Sequence, residues 1–198
     1  MIEALLVHLE RYTHLTQAEK ELLLQHTQFR TVEKNELIIR EGDLATRIYF
    51  LVSGCVRLFY NVNGTEKTAF FYTEGQFICA GESYTYQVPA KENYQAVEQS
   101  QLAYFPEENI EQLLKESSKF ELLARIATEN ELINCQQIIA SFVTKSAEER
   151  YSDLLENRSD LFLRVPQQYI ASFLGVSPET LSRIKKRVHQ RMKLAKKS

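Results

Sequence analysis

The sequence predicts an α+β protein of two domains, in which an antiparallel β-sandwich or barrel is flanked by helices and followed by a small helical unit. Three observations carry this. Between Phe29 and Phe105, short β-branched and aromatic runs alternate with turn residues. On either side, apolar residues recur at spacings of three and four, the period of a helix with one buried face. At 198 residues the chain is long for one small domain and comfortable for two.

At the N-terminus, Leu5, Leu6 and Leu9 precede Leu22, Leu23 and Leu24, with Thr16-Gln-Ala-Glu19 between them fitting a capping box. Two short helices are expected. The strand region contains Arg47-Ile-Tyr-Phe-Leu-Val52, Cys55-Val-Arg-Leu-Phe-Tyr60 and Lys67-Thr-Ala-Phe-Phe-Tyr72, punctuated by Gly42, Ser53-Gly54, Asn63-Gly64 and Gly75. Asn63-Gly64 is the clearest hairpin, because both central positions of a type I′ turn need positive φ. Helix resumes at Pro106, with Glu107 and Glu108 at the positive end of its dipole. From about Ser118 to Phe142 a heptad-like seam runs through Leu123, Ile126, Asn130, Ile133, Gln137 and Ala140. Asn130 and Gln137 suit a register-fixing seam between two identical helices better than a monomer's core; the same spacing also fits an ordinary helix with a weak apolar face. Ser146-Ala-Glu-Glu149 repeats the capping box and starts another helix.

Net charge is −2, but it is unevenly spread: Arg183 to Ser198 holds eight basic residues and no acid, +8 against −10 for the rest. A basic terminal helix on an acidic body favours a polyanion, and a solvated tail would show the same run. No apolar run approaches a membrane span and no secretory h-region is present, so a cytoplasmic protein without membrane contact is expected. Cys55, Cys79 and Cys135 are far apart and form no CxxC pair, so neither a disulfide framework nor a metal site is expected. With no nucleophile–base constellation, no phosphate-cradling glycine loop and no cofactor motif, the chain does not read as an enzyme.

The most informative segment is LFLRVPQQYIASFLGVSPETLSRIKKRV, Leu161 to Val188. Leu161 to Val165 reads as short and β-like. Pro166 then opens a helix that buries Ile170, Ala171 and Leu174, and Gly175 permits the left-handed turn after it. Val176 tucks inward, Ser177 caps and Pro178 starts a second helix with Leu181, Ile184 and Val188 on its buried stripe. This is a helix-turn-helix, with Ala171 small where the two helices approach. Pro178, Glu179, Ser182, Arg183 and Lys186 face outward. In a major groove, Arg183 could donate to guanine O6 and N7 and Glu179 accept from a cytosine amino group. Ser177, Thr180 and the helix N-terminus could hold phosphates, while Lys185, Lys186, Arg187 and Arg191 would add salt-dependent affinity. Glu179 with Arg183 would also make an ordinary surface pair one turn apart.

These residues, with Gly42 to Tyr60 (GDLATRIYFLVSGCVRLFY), resemble the Crp/Fnr family of transcription regulators over roughly residues 10 to 190. The resemblance implies a cyclic-nucleotide-binding-like β-roll (a jelly roll) as effector domain over 1–115. It further implies a dimerisation helix over 116–142 and a winged-helix-like DNA-binding domain over 143–198. The implied partners are a second copy, a near-palindromic duplex DNA operator and RNA polymerase. Base readers map onto Pro178, Glu179 and Arg183, and Gln167 and Gln168 fall where phosphate is commonly met. Pro178 stands where the family often has arginine, so the operator should differ.

Other departures concern the signal. Members that bind cyclic AMP follow a Gly-Glu pair with Arg-Ser or Arg-Thr about ten residues on; Gly81-Glu82 is kept, but Asn93-Tyr94 replaces the arginine pair. A buried phosphate would then be poorly compensated, so cyclic AMP is not expected to bind in the usual way. The cysteine spacing does not match the iron–sulfur members, and His8, His14 and His26 give no positive sign of a haem sensor. Family members usually continue into a β-hairpin wing; here a lysine-rich end follows the second helix, and it could supply the wing's phosphate contacts or none. Two mechanisms suit the whole: an effector that shifts the central helix pair, or constitutive binding controlled by abundance. The alternative from another class is a small-molecule-binding signalling module whose C-terminal domain contacts protein instead of DNA.

Overall fold

A computed structural model of the chain describes residues 1–195. Two helices open it, α1 (Ile2–Leu9) and α2 (Gln17–His26), joined where the Thr16 hydroxyl accepts from the Glu19 N–H and the Glu19 carboxylate accepts from the Thr16 N–H. The expected capping box is therefore formed. Eight strands follow, β1 (Gln28–Val32), β2 (Leu37–Ile39), β3 (Arg47–Ser53), β4 (Val56–Val62), β5 (Thr65–Tyr72), β6 (Phe77–Ile78), β7 (Asn93–Ala96) and β8 (Ser100–Pro106). A short helix, α3 (Gly81–Tyr86), interrupts them; strand texture around it gave no sign of it.

The strands form two antiparallel four-stranded sheets, β1-β8-β3-β6 and β2-β7-β4-β5. Alternate residues of each face inward, and Val32, Tyr49, Leu51, Val56, Tyr72, Tyr94 and Leu102 fill the space between them. The β4–β5 hairpin turns at Asn63 (φ 51°) and Gly64 (φ 77°), the left-handed pair its sequence requires. Gly54 (φ 109°) is fixed by crowding as well, since a Cβ there would lie 2.7 Å from the Ser100 Cα. That close approach sits beside the register shift between Leu51 and Ser53 in the β3–β8 ladder.

Helix returns with α4 (Glu107–Glu116), one residue after Pro106, whose φ of −57° and extended ψ end β8 and turn the chain into the helix. The long α5 (Ser118–Thr144) follows. Its first turns bury Phe120 and Leu123 with Leu5, Leu9, Leu23, Phe50 and Phe105, so α1, α2, α4 and the start of α5 close over the outer face of the first sheet. Leu123, expected in the intermolecular seam, belongs to this internal core instead: its position near the N-terminal end of α5 lies over the N-terminal helices.

The rest is helical: α6 (Ala147–Asn157), α7 (Leu161–Arg164), α8 (Gln167–Phe173) and α9 (Pro178–Ala195). The β-like reading of Leu161 to Val165 is corrected by α7. Leu161 and Val165 are both buried, four residues apart on one helical face, while Leu163 is 91% exposed. Apolar residues at every second position mimic a strand, but one turn of helix satisfies the burial. Among the described residues no strand follows β8.

Candidate nucleic-acid interface

Helices α8 and α9 meet at a four-residue turn, Leu174 to Ser177. Gly175 takes φ 70°, a backbone conformation that favours glycine, and a Cβ there would stand 3.0 Å from the Phe142 ring, which would have to shift to admit it. The Val176 N–H donates to the Ala171 carbonyl at 3.0 Å, closing the end of α8. Ile170 and Ala171 of α8 pack against Leu181, Ile184 and Val188 of α9, as the apolar stripes require. The Ser177 hydroxyl accepts from the Thr180 N–H at 3.2 Å and caps α9.

With that stripe inward, Ser177, Pro178, Glu179, Ser182, Arg183 and Lys186 are exposed together and Thr180 is half-buried at the same end. Arg183 donates to the Thr180 hydroxyl at 3.1 Å, and among the described residues it forms no ion pair with Glu179. The ordinary surface pair is thus absent, and both charges stand free toward solvent. The Glu179 carboxyl is held below its usual range, first by its own backbone N–H, then by the Ser177 hydroxyl, and by Arg183 nearby. It is an acceptor at neutral pH. Gln167 and Gln168 open α8 and are exposed. Arg187 and Arg191 differ from expectation: they pair with Glu148 of α6 at 2.9 and 2.6 Å, so part of the basic end is neutralised within the protomer. Lys196 and Lys197, counted in that end, lie outside the described residues.

The expected effector pocket has a different character. Gly81 and Glu82 begin α3 and are exposed, Glu82 pairing with Lys91 at 2.7 Å on the surface. Asn93 and Tyr94 are buried on β7. The Asn93 carbonyl oxygen accepts from the Glu41 N–H at 3.0 Å, its amide N–H faces the Glu41 carboxylate at 3.5 Å, and Asn61 donates to that carboxylate at 3.1 Å. The Tyr94 hydroxyl donates to the Cys79 carbonyl at 2.9 Å. Where a cyclic phosphate would need a cation, these side chains present an amide and a carboxylate. The neighbouring Tyr72 O–H donates to Glu131 of α5 at 2.8 Å, joining the sandwich core to the long helix. Burial holds the Glu131 carboxyl above its usual range.

On α5, Asn130, Gln137 and Ala140 are exposed, Ile126 is half-buried and Ile133 is 48% exposed. Leu132, Ile139 and Val143 are more exposed still, at 57%, 63% and 79%. They form a stripe beside the expected seam that sequence reasoning passed over, although their spacings of seven and four signalled it.

Sequence reasoning also missed how the helical unit docks on the sandwich. Arg57 of β4 is 1% exposed, with its guanidinium between the rings of Phe59 (4.1 Å) and Tyr169 of α8 (3.6 Å). It donates to Gln95 at 2.6 and 2.9 Å and pairs with Glu66. The Ser172 hydroxyl of α8 accepts from the Thr68 N–H of β5 at 2.9 Å, and Arg164 spans Glu74 and Glu98 at 2.6 Å each. These carboxylates push the Arg164 guanidinium's pKa up.

Comparison with known proteins accords with this architecture. Residues 29–117 match the cyclic nucleotide-binding domain. The chain is 24% identical to the transcriptional activator protein Anr of Pseudomonas protegens over 173 residues, covering 81% of this chain and 70% of the relative. In fold it is similar to FixK2 of Bradyrhizobium japonicum, with a TM-score of 0.72 and 20% identity over 83% of this chain and 85% of that one. It is also similar to a Crp/Fnr-family protein of Eubacterium rectale, with a TM-score of 0.68 and 19% identity over 89% and 85%. Residues 29–117 thus carry a cyclic nucleotide-binding domain, and the whole arrangement, a sandwich, a long helix leading out of it and a C-terminal helix-turn-helix in that order, shares its fold with Crp/Fnr-family proteins.

Proposed function

We propose that the chain is a sequence-specific DNA-binding transcription regulator that acts as a homodimer. The carrying observation is the outer face of α9: Ser177, Pro178, Glu179, Ser182, Arg183 and Lys186 stand clear of the protomer on a helix anchored by Leu181, Ile184 and Val188. Arg183 and Glu179 read base edges in a major groove, Gln167, Gln168, Ser177 and Thr180 hold phosphate, and Lys186 contributes charge. The similarity to Anr, named a transcriptional activator, supports this reading. RNA polymerase is the further partner an activator would need.

Two copies pair through the outer face of α5, where Asn130, Ile133, Gln137 and Ala140 lie beside Leu132, Ile139 and Val143. Burying these exposed side chains against a partner is what stabilises such a pair, and the polar members set its register. The organisation follows: effector roll to about residue 115, dimerisation helix to 142, DNA-binding domain beyond. The roll does not bind cyclic AMP in the usual manner, because Asn93 stands where the phosphate-holding arginine belongs and faces the Glu41 carboxylate rather than offering a cation.

Operator selection from random duplexes, followed by binding at increasing salt, tests the function. A near-palindromic site should emerge, and log affinity should fall linearly with log salt. A salt-insensitive partner contact through the C-terminal domain, with no selected sequence, would establish the protein-binding alternative instead. Cyclic AMP should leave the melting temperature unchanged; a saturable rise would overturn the reading of Asn93.

A further inference from the structure

Beneath the long helix, the sandwich and the helix-turn-helix unit leave a cleft of about 480 Å³. That is the size of ordinary small-molecule sites, about 300–1,000 Å³. Phe70 of β5, Ile138 and Phe142 of α5 and Phe173 of α8 form apolar walls, and Arg150 of α6 and Arg158 at its C-terminal cap enter beside them.

The charge of this lining is unbalanced. Arg57 and Arg164, the arginines that tie the two units together, are matched by carboxylates. Arg150 and Arg158 form no ion pair among the described residues. Arg150 donates to the Lys145 carbonyl at 2.6 Å and the Leu174 carbonyl at 2.9 Å, and its buried Nε has no partner among the described residues. The Arg158 guanidinium donates, among the described residues, only to the Thr73 hydroxyl, at 3.2 Å, leaving most of its N–H groups for another acceptor. Lys145 and Asp153, also at the cleft, satisfy each other at 2.5 Å. Two half-buried guanidinium groups beside aromatic walls, without counter-ions, suit a flat anion: rings stack on rings, and a carboxylate accepts from the fork of an arginine.

We propose that this cleft is a binding site for a small aromatic carboxylate, held with its rings against Phe70, Phe142 and Phe173 and its carboxylate on Arg158. Because its walls come from the roll, the long helix and the DNA-binding unit, an occupant favours one arrangement of the three over others. This regulatory consequence rests on the DNA-binding reading above; the site itself does not.

Calorimetric titration of the full chain with 2-naphthoate, and with the neutral 2-naphthamide of the same shape, tests it. Naphthoate should bind saturably and naphthamide about tenfold more weakly, the difference made by a charge-assisted hydrogen bond. Arg158→Gln should lower naphthoate to the level of naphthamide, and Ser141→Phe, which fills the cleft from α5, should abolish binding of both. Absence of saturable binding, equal affinity for the two probes, or unchanged binding in Arg158→Gln would overturn the site. Saturating naphthoate should also change affinity for the selected operator by about fivefold or more. Unchanged operator affinity would overturn the coupling, whereas a chain that binds naphthoate and no DNA keeps the site and overturns the regulator reading.

Discussion

Arg183 illustrates how one residue's role depends on what it does not touch. Its guanidinium rests on the Thr180 hydroxyl and makes no ion pair with Glu179 among the described residues, so little is lost when it turns to a guanine edge. Arg183→Ala should cost about 1 to 3 kcal/mol of specific binding and relax preference at one base pair. Affinities for selected and scrambled duplexes check this; equal losses on both would show charge neutralisation only. The outward set on α9 was legible because Leu181, Ile184 and Val188 fix which side of a helix is inward, and the rest follows by rotation. Arg57 was not legible. Nothing in a strand sequence says that an arginine will be roofed by a tyrosine more than a hundred positions away.

Helices show the same division. The capping boxes at Thr16 and Ser146 formed as local chemistry requires, since each involves a side chain and a backbone group three residues apart. Glu19 does more than cap: it also accepts from the Ser117 hydroxyl at 2.8 Å and from Lys119 at 2.8 Å, stapling α2 to the start of α5. These contacts, Lys119 first, pull its carboxyl from 4.5 down to about 2. Its stabilising contribution is therefore complete above pH 4.5 and is lost as pH falls through about 2. Acid titration of melting temperature should show this slope, and Lys119→Met should flatten it. On α5 the expected seam gave the right helix but only part of its free face. Leu123 is claimed by the N-terminal core, and Leu132, Ile139 and Val143 are left outside it. Ile139→Glu should place a charge where the proposed partner helix packs and shift sedimentation from dimer to monomer; an unchanged dimer would move the interface elsewhere.

At the scale of the molecule, the helix-turn-helix unit is not a loose appendage. Cys55, Phe71 and Val97 of the sandwich share one core with Tyr151, Leu161, Ile170 and Leu174 of the C-terminal helices. Phe71 and Phe173 approach to 5.3 Å between ring centroids. Arg57 is the polar counterpart of this contact: Gln95 and Glu66 hold its other nitrogens, while its buried Nη1 has no hydrogen-bond partner among the described residues and lies between the two flanking rings. A desolvated cation on an aromatic face contributes about 2 kcal/mol or more. Arg57→Ala should therefore lower stability by at least that order and loosen α8 from β5. Calorimetry should resolve a second transition, and hydrogen exchange should rise in Gln167–Phe173; a single unshifted transition would refute the rivet role.

Local information determined the capped helices, the Asn63-Gly64 hairpin, the glycine turn between α8 and α9 and the outward face of α9. Each depends on a backbone preference or a periodicity spanning a few residues. Only the tertiary structure decided that α7 is a helical turn, that Glu41 faces Asn93, that Leu123 of α5 belongs to the N-terminal core, and that Arg57 joins the two units. In each of those, the deciding partner is distant in sequence, and burial against it outweighs the local signal.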